Sequence, residues 1–373
     1  LLSANPYFLR AFHDLPSIGP RLTLMATDLA RDQQGNWWVT GDRTRAPSGL
    51  GYALENRVIT SRVLPHLMRR SNVLRLASFF VSLQNQLCAQ APRMRDNPRV
   101  AILTPGKESY RYMEDAYLAR YLGYTLVQGR DLAVRGHRLN LKTLGGLLPI
   151  EVLWRHVSDG LLDPLELDPQ STHGVTGLLQ SVRDRTVAVT NAIGSSLVQM
   201  PALLPYLSSA NRFFFGNDLT LPTIATHWCG SPGGLQQTIE GLDDYLIRPA
   251  FVISGDPPID ARSLSTDDRE RLIARIRERP QDYVAQARPE RSATPVWENG
   301  AMQSWHVALR SFQLQSSGGV DVLPGGLVRV SPDAALLDQS PASGRLGQDC
   351  WIVSEQPVDH AISLLPNPDA TIE

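Results

Sequence analysis

The chain of 373 residues is 42% hydrophobic and 20% charged, the composition of a globular protein that can bury large cores in two or three packed units. Its 36 basic and 37 acidic residues give a net charge of −1, so no long-range field would attract nucleic acid or an anionic membrane. Apolar runs fall short of the roughly 18 residues of a membrane span and the first residues lack a signal-peptide pattern, so we expect a cytoplasmic protein.

The first half of the chain alternates between strand and helix patterns. Period-two and period-3.6 hydrophobic patterns predict, in chain order, a strand at 37–39, an amphipathic helix at 58–70, a strand at 99–103, a turn at 104–106, a helix at about 111–122, and strands at 124–127, 149–154 and 187–190. The unit at 99–127 places its first loop at the carboxyl end of a strand, where open α/β sheets bind ligands. We therefore predict an α/β layer structure up to about residue 207.

A second unit begins near Ala225 and has an α+β pattern. The strands predicted here lie at 245–247, 283–286, 320–323 and 350–353. A helix at about 266–279 begins after the capping residue Ser265 and ends before Pro280. The segments 253–258 and 338–346 are polar and rich in Gly or Pro, which predicts mobile loops.

The segment at 42–57 carries the most specific motif of the chain. It reads Asp-Arg-Thr-Arg-Ala-Pro-Ser-Gly-Leu-Gly-Tyr-Ala-Leu-Glu-Asn-Arg and matches the signature (N/T)-x-(R/Q)-x-P-S-G-x-x-Y-x-L-E-N-R. Further motifs follow in order at 103–106, 112–114, 129–132, 162–167, 191–195, 283–286 and 324–327. On these motifs, nearly the whole chain resembles the circularly permuted type 2 ATP-grasp family.

The resemblance implies an α/β fold, α+β in its C-terminal half, in which a circularly permuted ATP-grasp is combined with a Rossmann-like substrate domain. It divides the chain into a permuted N-terminal segment at 1–95, the substrate domain at 96–224 and a nucleotide-binding region at 225–373. The family has about a hundred further residues before the point where this chain starts, and its last residues resemble the stretch that leads into a helical domain. We therefore expect residues to be missing at both ends.

The resemblance also implies an activity. Members of the family, which are distantly similar to glutathionylspermidine synthetases, are thought to be ligases that join a carboxylate to an amine through an acyl phosphate. The expected cofactors are ATP and Mg²⁺, and the expected substrate is an amino acid or a small peptide. An alpha-E domain protein or a transglutaminase-like protein is the partner that the resemblance implies.

Phosphoryl transfer is mainly positioning and charge neutralisation, so the family's chemistry needs cations at the phosphates. Arg248 stands where the family strand has Lys before Pro, and Arg310 matches the arginine of the motif D-L-R-x-F. The resemblance makes Arg248 a cofactor-binding residue and Arg310 a catalytic one, unless each pairs with a structural carboxylate. Arg45, from the pattern E-D-N-x-R, and Gln286, from a strand whose backbone would read adenine, are further cofactor-binding candidates. The alternative for Gln286 is a simple buried strand.

Magnesium prefers near-octahedral oxygen ligands, usually one or two carboxylates and substrate phosphate. Asp42 and Asp349 are the candidates, with turn caps or surface acids as the alternative. The chain departs from the family here, because Ala308 replaces the acid of D-L-R and Gln348 replaces a lysine near the C-terminus. These departures put the bound magnesium in doubt.

The substrate side retains more of the family pattern. The substrate-binding candidates are Ser48, Gly49, Tyr52, Glu55, Asn56, Arg57, Tyr112 and Glu114. The first three predict a tight turn, and the next three predict the start of a helix. Arg155 and Asp159 lie where many relatives have paired arginines and aspartates, and as catalytic candidates they could hold an amino acid by bidentate contacts. The alternative for this pair is a structural ion pair that holds a loop.

A second hypothesis comes from a different class of protein. A nucleotide-inactive relative that serves as a binding or scaffold partner is indicated by Ala308, Gln348 and Arg248. The flap points the same way, because its one glycine is Gly255 and a phosphate-binding flap is usually rich in glycine. In such a relative, Arg248 and Arg310 would be bound to protein carboxylates. The partners of these two arginines therefore discriminate between the hypotheses.

Overall fold

The computed structural model describes residues 1–92, 97–251, 257–316, 318–339 and 344–358. Most of the predicted loop at 253–258, including Gly255, lies outside the described residues, as does the stretch that resembles the lead into a helical domain.

The described strands, in chain order, cover most of the predicted ones. They are β1 (Leu24–Arg31), β2 (Trp37–Arg43), β3 (Val100–Leu103), β4 (Thr125–Val127), β5 (Leu132–Arg135), β6 (Arg138–Thr143), β7 (Gly146–Pro149), β8 (Val152–Arg155), β9 (Ala188–Thr190), β10 (Thr226–Trp228), β11 (Tyr245–Pro249), β12 (Ile259–Asp260), β13 (Tyr283–Ala287), β14 (Ala293–Glu298), β15 (Ala301–Ser316), β16 (Gly319–Val322), β17 (Leu327–Ser331) and β18 (Leu346–Asp349).

The described α-helices are α1 (Leu50–Val63), α2 (Pro65–Arg70), α3 (Ala77–Ala89), α4 (Tyr112–Leu122), α5 (Leu178–Arg183), α6 (Leu204–Phe215), α7 (Pro232–Glu240), α8 (Thr266–Glu278) and α9 (Leu336–Gln339). Within the described ranges, none of them has the length and apolar character that crossing a membrane requires.

A small parallel sheet forms the α/β part of the molecule. Its strand order is β4-β3-β8-β9, and α4 connects β3 to β4. All four residues of β3 are buried, as expected for a parallel strand that is covered on both faces. Gly123, with φ of 71°, ends α4 in the left-handed conformation that favours glycine. The predicted unit at 99–127 is therefore confirmed.

The largest sheet joins the two ends of the chain. Five of its seven strands are hydrogen-bonded in the order β18-β17-β15-β1-β2, and the other two, β14 and β16, pair with β15. Strand β1 lies antiparallel to β15, with Asp28 opposite Arg310. The first and last of the three predicted segments thus share one sheet, while the division at 1–95, 96–224 and 225–373 stays a prediction.

An antiparallel sheet forms most of the remaining C-terminal half. Its order is β10-β13-β11-β12, and α7 and α8 pack near it around a shared apolar core. Helix α8 begins as predicted, because the Ser265 hydroxyl accepts a hydrogen bond from the Asp268 amide at 3.2 Å. Leu272 and Ile276, four residues apart on one helix face, are both fully buried.

Three predicted elements are wrong. The helix predicted at 58–70 begins eight residues earlier at Leu50 and is interrupted at Leu64, before Pro65, which starts α2. The strand predicted at 350–353 lies instead at 346–349, and its first residue is the last residue of the segment predicted as a loop at 338–346, of which 340–343 lie outside the described residues. The start of that predicted loop forms the end of α9.

Candidate functional site

A cleft of about 360 Å³ lies where three of the sheets meet, namely the largest sheet, the parallel sheet and the antiparallel sheet of β10 to β13. Its walls come from β1, β2, β15 and β17 of the largest sheet, from β11 and β13, and from the loops after β3 and β8. Those two loops follow the carboxyl ends of parallel strands, where open α/β sheets bind ligands. We call it the arginine cleft, because the described residues that line it include seven arginines and three aspartates: Arg43, Arg45, Arg111, Arg248, Arg291, Arg310 and Arg329, with Asp28, Asp42 and Asp338.

Arg310 lies at the base of the cleft in a bidentate ion pair. Its Nε donates to Asp28 Oδ1 at 2.6 Å and its Nη2 donates to Asp28 Oδ2 at 2.9 Å. Its Nη1 donates to the carbonyl oxygen and the hydroxyl of Ser48 at 2.9 and 3.1 Å. Burial alone would raise the pKa of Asp28, but Arg310 and Arg43 hold it well below its usual range. Arg310 therefore pairs with a structural carboxylate, which was the alternative to a catalytic role.

Arg248 has a different environment on β11. Its two Nη atoms lie 3.3 Å from the carbonyl oxygen of Asp338, and within the described part of the chain its buried Nε has no hydrogen-bond partner. The Asp338 carboxylate is itself engaged by Arg291 at 2.6 Å. Burial lowers the pKa of Arg248 below its usual value, although Arg is still protonated at neutral pH. A buried guanidinium held by one carbonyl retains donors for an anionic ligand.

Arg329 adds further positive charge on β17. Its position faces Ala308 in the strand register, and its Nη2 donates to the carbonyl oxygen of Leu337 at 3.2 Å. Burial, with Arg310 and other arginines nearby, lowers the pKa of Arg329 to about 10. The cleft is thus a site of concentrated positive charge.

Two cofactor-binding candidates also line the cleft. Arg45 donates to the Ser158 hydroxyl at 3.0 Å, and burial lowers its pKa to about 10. The Gln286 side chain donates to the carbonyl oxygen of Thr40 at 3.0 Å. Strand β13 pairs with β10 on one side and β11 on the other, so the backbone of Gln286 is engaged within the sheet. The adenine-reading role of this strand stays a prediction, its place between two paired strands corresponds to the buried-strand alternative, and the Gln286 side chain lines the cleft.

The cleft does not fit a magnesium ion. Asp42 accepts a hydrogen bond from Thr27 at 2.9 Å, and burial raises the pKa of its carboxyl. The other two cleft carboxylates are paired with arginines, and no cluster of three His, Cys, Asp or Glu side chains among the described residues could hold a metal. Asp349, the second metal candidate, is not part of the cleft lining. The two predicted metal ligands are therefore not brought together at this site.

A second cavity of about 320 Å³ adjoins the first and shares Ser48, Tyr110 and Arg329 with it. We call it the side pocket. Five of the predicted substrate residues line it, namely Ser48, Gly49, Tyr52, Asn56 and Glu114. Ser48 and Gly49 precede α1 and Tyr52 is exposed in its first turn, so the substrate signature wraps the beginning of this helix.

Glu114 connects the side pocket to the start of α1. Its Oε1 accepts hydrogen bonds from the Gly49 and Gly51 amides at 2.6 and 3.1 Å. A carboxylate at this end of a helix satisfies amides that have no partner within the helix. Its buried Oε2 has no partner among the described residues. Gly51 lets the helix approach this carboxylate closely, since a Cβ at this position would lie 2.9 Å from the Glu114 side chain.

Three other substrate candidates lie outside both cavities. Arg57 binds the Asp349 carboxylate at 2.9 Å and the carbonyl oxygen of Leu74 at 2.7 Å, which ties α1 to β18. Glu55 lies near Tyr117, and burial together with this carboxylate raises the pKa of the Tyr117 hydroxyl. Tyr112 begins α4 and lines neither cavity. The expectation that 55–57 open a helix is wrong, because these residues lie in the second turn of α1.

Arg155 and Asp159 form a fully buried ion pair with a separation of 2.6 Å. Arg155 also donates to the carbonyl oxygens of Asn191 and Ala192, at 3.2 and 3.1 Å. Asp159 accepts hydrogen bonds from the amides of residues 194 and 196. Since the pair holds the loop after β9 and lines neither cavity, its geometry corresponds to the structural alternative rather than to substrate binding.

Several cleft residues were not identified from the sequence. Asp28 follows Leu24 and Ala26 in the buried alternation of β1, and a carboxylate at such an inward-facing position is the signal that could have identified it. Arg291 and Arg329 carry no motif. His156 also lines the cleft, with its Nδ1 2.7 Å from the buried carboxylate of Asp115. Burial lowers the pKa of His156, so the imidazole is neutral and donates this bond.

Comparison with known proteins gives a consistent result. Residues 1–331 match the family model described as circularly permuted ATP-grasp type 2. An uncharacterised protein of Synechocystis is 30% identical over 91% of this chain and 70% of its own length. An uncharacterised protein of Mycobacterium leprae is 28% identical over 95% of this chain and 63% of its own length. An uncharacterised protein of Mycobacterium tuberculosis is 31% identical over 94% of this chain, which spans only 39% of that relative.

Proposed function

The chain belongs to the circularly permuted ATP-grasp type 2 family, and we propose from that membership that it is an ATP-dependent ligase that joins a carboxylate to an amine. The observation that carries the proposal is the arginine cleft with Arg248 inside it, a guanidinium whose nearest acceptor among the described residues is a single carbonyl oxygen. Polyanionic phosphates are the ligands that a buried excess of guanidinium groups favours.

In this proposal the two cavities divide the work. Arg248 and its neighbours in the arginine cleft bind the phosphates, and the Gln286 side chain lies where it can contact the base. The side pocket takes an amino acid or a small peptide beside the start of α1. Because Ser48 and Tyr110 line both cavities, a carboxylate in the side pocket would lie next to the phosphate site. Proximity of this kind is the main contribution of the protein to phosphoryl transfer.

Bound ATP would supply the γ-phosphoryl group that activates the carboxylate as an acyl phosphate, with ADP as the leaving group. The amine would then form the new bond to the carbonyl carbon and lose a proton, and phosphate would leave with the electron pair of the broken carbon–oxygen bond. The protein holds both reactants, excludes water and neutralises the charge that leaves with phosphate. In this proposal, the parallel sheet with α4 is the Rossmann-like substrate domain of the family. An alpha-E domain or transglutaminase-like protein is the partner we propose.

A second candidate, the nucleotide-inactive relative, is favoured by one observation. Arg310, the proposed catalytic cation, is already satisfied by Asp28 and Ser48, which leaves its guanidinium with little capacity for phosphate. Arg248 is not satisfied in this way. The two arginines therefore support different hypotheses, and Arg248 decides between them.

The test is calorimetric titration of the chain with a non-hydrolysable ATP analogue, on the parent and on Arg248→Met. Arg271→Met, which removes an exposed arginine of α8, is the matched control. Saturable binding that is lost in Arg248→Met and kept in Arg271→Met supports the proposal. No binding by folded protein would contradict it and favour the inactive relative.

Catalysis is tested separately from binding. The chain is incubated with ATP and pools of amino acids, and release of ADP is measured together with trapping of activated carboxylates by hydroxylamine. Amino-acid-dependent ADP release with hydroxamate formation supports the ligase. Tight nucleotide binding without any turnover over the whole set of amino acids and dipeptides would favour the binding partner.

A further inference from the structure

Among the described residues, the arginine cleft has too few available carboxylates for a divalent cation. Of the three aspartates that line it, Asp28 is held by Arg310 at 2.6 Å and by Arg43 at 2.8 Å. Asp338 is held by Arg291 at 2.6 Å. Asp42 is the one without an arginine ion pair among the described residues, and Thr27 donates to it. Mg²⁺ loses its hydration water reluctantly, so one such carboxylate is a poor site for it.

The strand register places positive charge where a metal ligand would be needed. Ala308 on β15 carries no ligand atom in its side chain, and its cross-strand neighbour on β17 is Arg329. Two residues further along β15, Arg310 lies on the same face, since side chains alternate along a strand. A cation at Ala308 would therefore lie between two guanidinium groups. Their repulsion opposes a divalent cation at this position.

The same arginines can do what a metal does for a polyphosphate. Guanidinium groups neutralise charge and bind phosphate oxygens in a bidentate manner. Among the described residues that line the cleft, arginines outnumber aspartates seven to three, and one of them, Arg111, also pairs with the buried Asp115. Arg248 adds a buried Nε without a partner among the described residues, so phosphate oxygens in the cleft would meet guanidinium donors.

We propose that the arginine cleft binds a nucleoside di- or triphosphate without a divalent cation, with arginines in the place of the metal. The inference rests on the proposed function, because it takes the nucleotide as the ligand of the cleft. It concerns the bound state alone and adds no chemical step. Its consequence is that metal-free nucleotide is the preferred form, since magnesium on the phosphates cancels charge that the arginines would otherwise meet.

The experiment compares titrations of the chain with ADP and with a non-hydrolysable ATP analogue, each in excess EDTA and in excess Mg²⁺. We expect binding in EDTA that is at least as tight as binding with Mg²⁺. Binding that needs Mg²⁺, or that EDTA weakens about tenfold or more, a loss of about 1.4 kcal/mol, overturns the inference and leaves the proposed function intact. Absence of binding in both conditions contradicts the proposed function and, with it, the inference.

The second part of the experiment uses a variant whose nucleotide binding should depend on Mg²⁺. Ala308→Asp adds a carboxylate to the cleft, and Ala308→Asn adds a side chain of the same shape without the charge. Ala301→Asp, at the exposed start of the same strand, adds the same charge outside the cleft.

We expect Ala308→Asp to weaken binding in EDTA about tenfold or more relative to Ala308→Asn, and Mg²⁺ to restore part of the loss. Ala301→Asp should bind as the parent does. Equal binding by Ala308→Asp and Ala308→Asn in EDTA would overturn the inference. Thermal melting shows whether each variant is folded, and if Ala308→Asp is not, the comparison of EDTA with Mg²⁺ on the parent decides alone.

Discussion

Replacement of Asp28 by Asn should destabilise the protein strongly, because it leaves the Arg310 guanidinium buried without a counter-charge. Arg310 is 2% exposed and gives two of its donors to this carboxylate. Asparagine has nearly the same shape, so packing is preserved while the charge is lost. It can accept at one oxygen, but its amide group would point donors at a guanidinium that has only donors.

The size of the effect follows from the burial of the pair. Removal of one partner of a buried ion pair costs about 3–5 kcal/mol. The entropy of unfolding is about 2.1 cal/mol/K per residue, so the 373 residues correspond to about 0.8 kcal/mol/K if the chain unfolds as one unit. The melting temperature of Asp28→Asn should therefore fall by about 4–6 °C.

The assay is thermal denaturation followed by calorimetry and circular dichroism, with two companion variants. Asp218→Asn breaks the exposed pair with Arg212 and should lower the melting temperature by about 1 °C or less. The double variant Asp28→Asn with Arg310→Met removes both buried charges and should recover most of the loss. The reasoning is refuted if Asp28→Asn has the same melting temperature as Asp218→Asn, or if the double variant has a melting temperature no higher than that of Asp28→Asn.

Three further predictions test other parts of the structure. Arg310 and Arg43 outweigh the effect of burial and lower the pKa of Asp28, so its contribution to stability is fully present above its unfolded-state pKa and is lost as the pH falls below about 4. In urea titrations, the free energy of unfolding of Asp28→Asn should therefore decrease less steeply with falling pH than that of the parent. Gly49→Ala should lower stability by about 1–3 kcal/mol, since φ is 106° and its Cβ would lie 2.5 Å from Leu327, whereas Gly233→Ala meets no atom within 4 Å and should be neutral in the same melts. Burial raises the pKa of the Cys229 thiol, so iodoacetamide should label this residue slowly in the folded chain at neutral pH and rapidly in urea. Fast labelling of Cys229 in the folded chain would contradict its burial.

Local sequence patterns were sufficient for the elements whose stability is decided within a few residues. The apolar run of β3, the helix at about 111–122 and the Ser265 cap of α8 each depend on neighbours along the chain, and all three are found. The motif at 42–57 likewise indicated the family, and its residues surround the start of α1 beside the two cavities. Such signals survive because backbone conformation and side-chain periodicity are short-range properties.

The sequence did not determine the partners of the charged residues. Asp28 meets Arg310 across 282 residues, and Arg57 meets Asp349 across 292, because sheet register and helix packing bring them together. A motif identifies a residue but not its distance from a counter-charge, so the sequence made both Arg155 and Arg248 candidates for the functional site. Burial with Asp159 makes Arg155 part of a loop anchor, while Arg248 has one carbonyl oxygen as its acceptor within the described part of the chain. The family and the local elements came from the chain alone, whereas the role of each charge was decided by tertiary structure, since ion pairing depends on distances that only the packed fold sets.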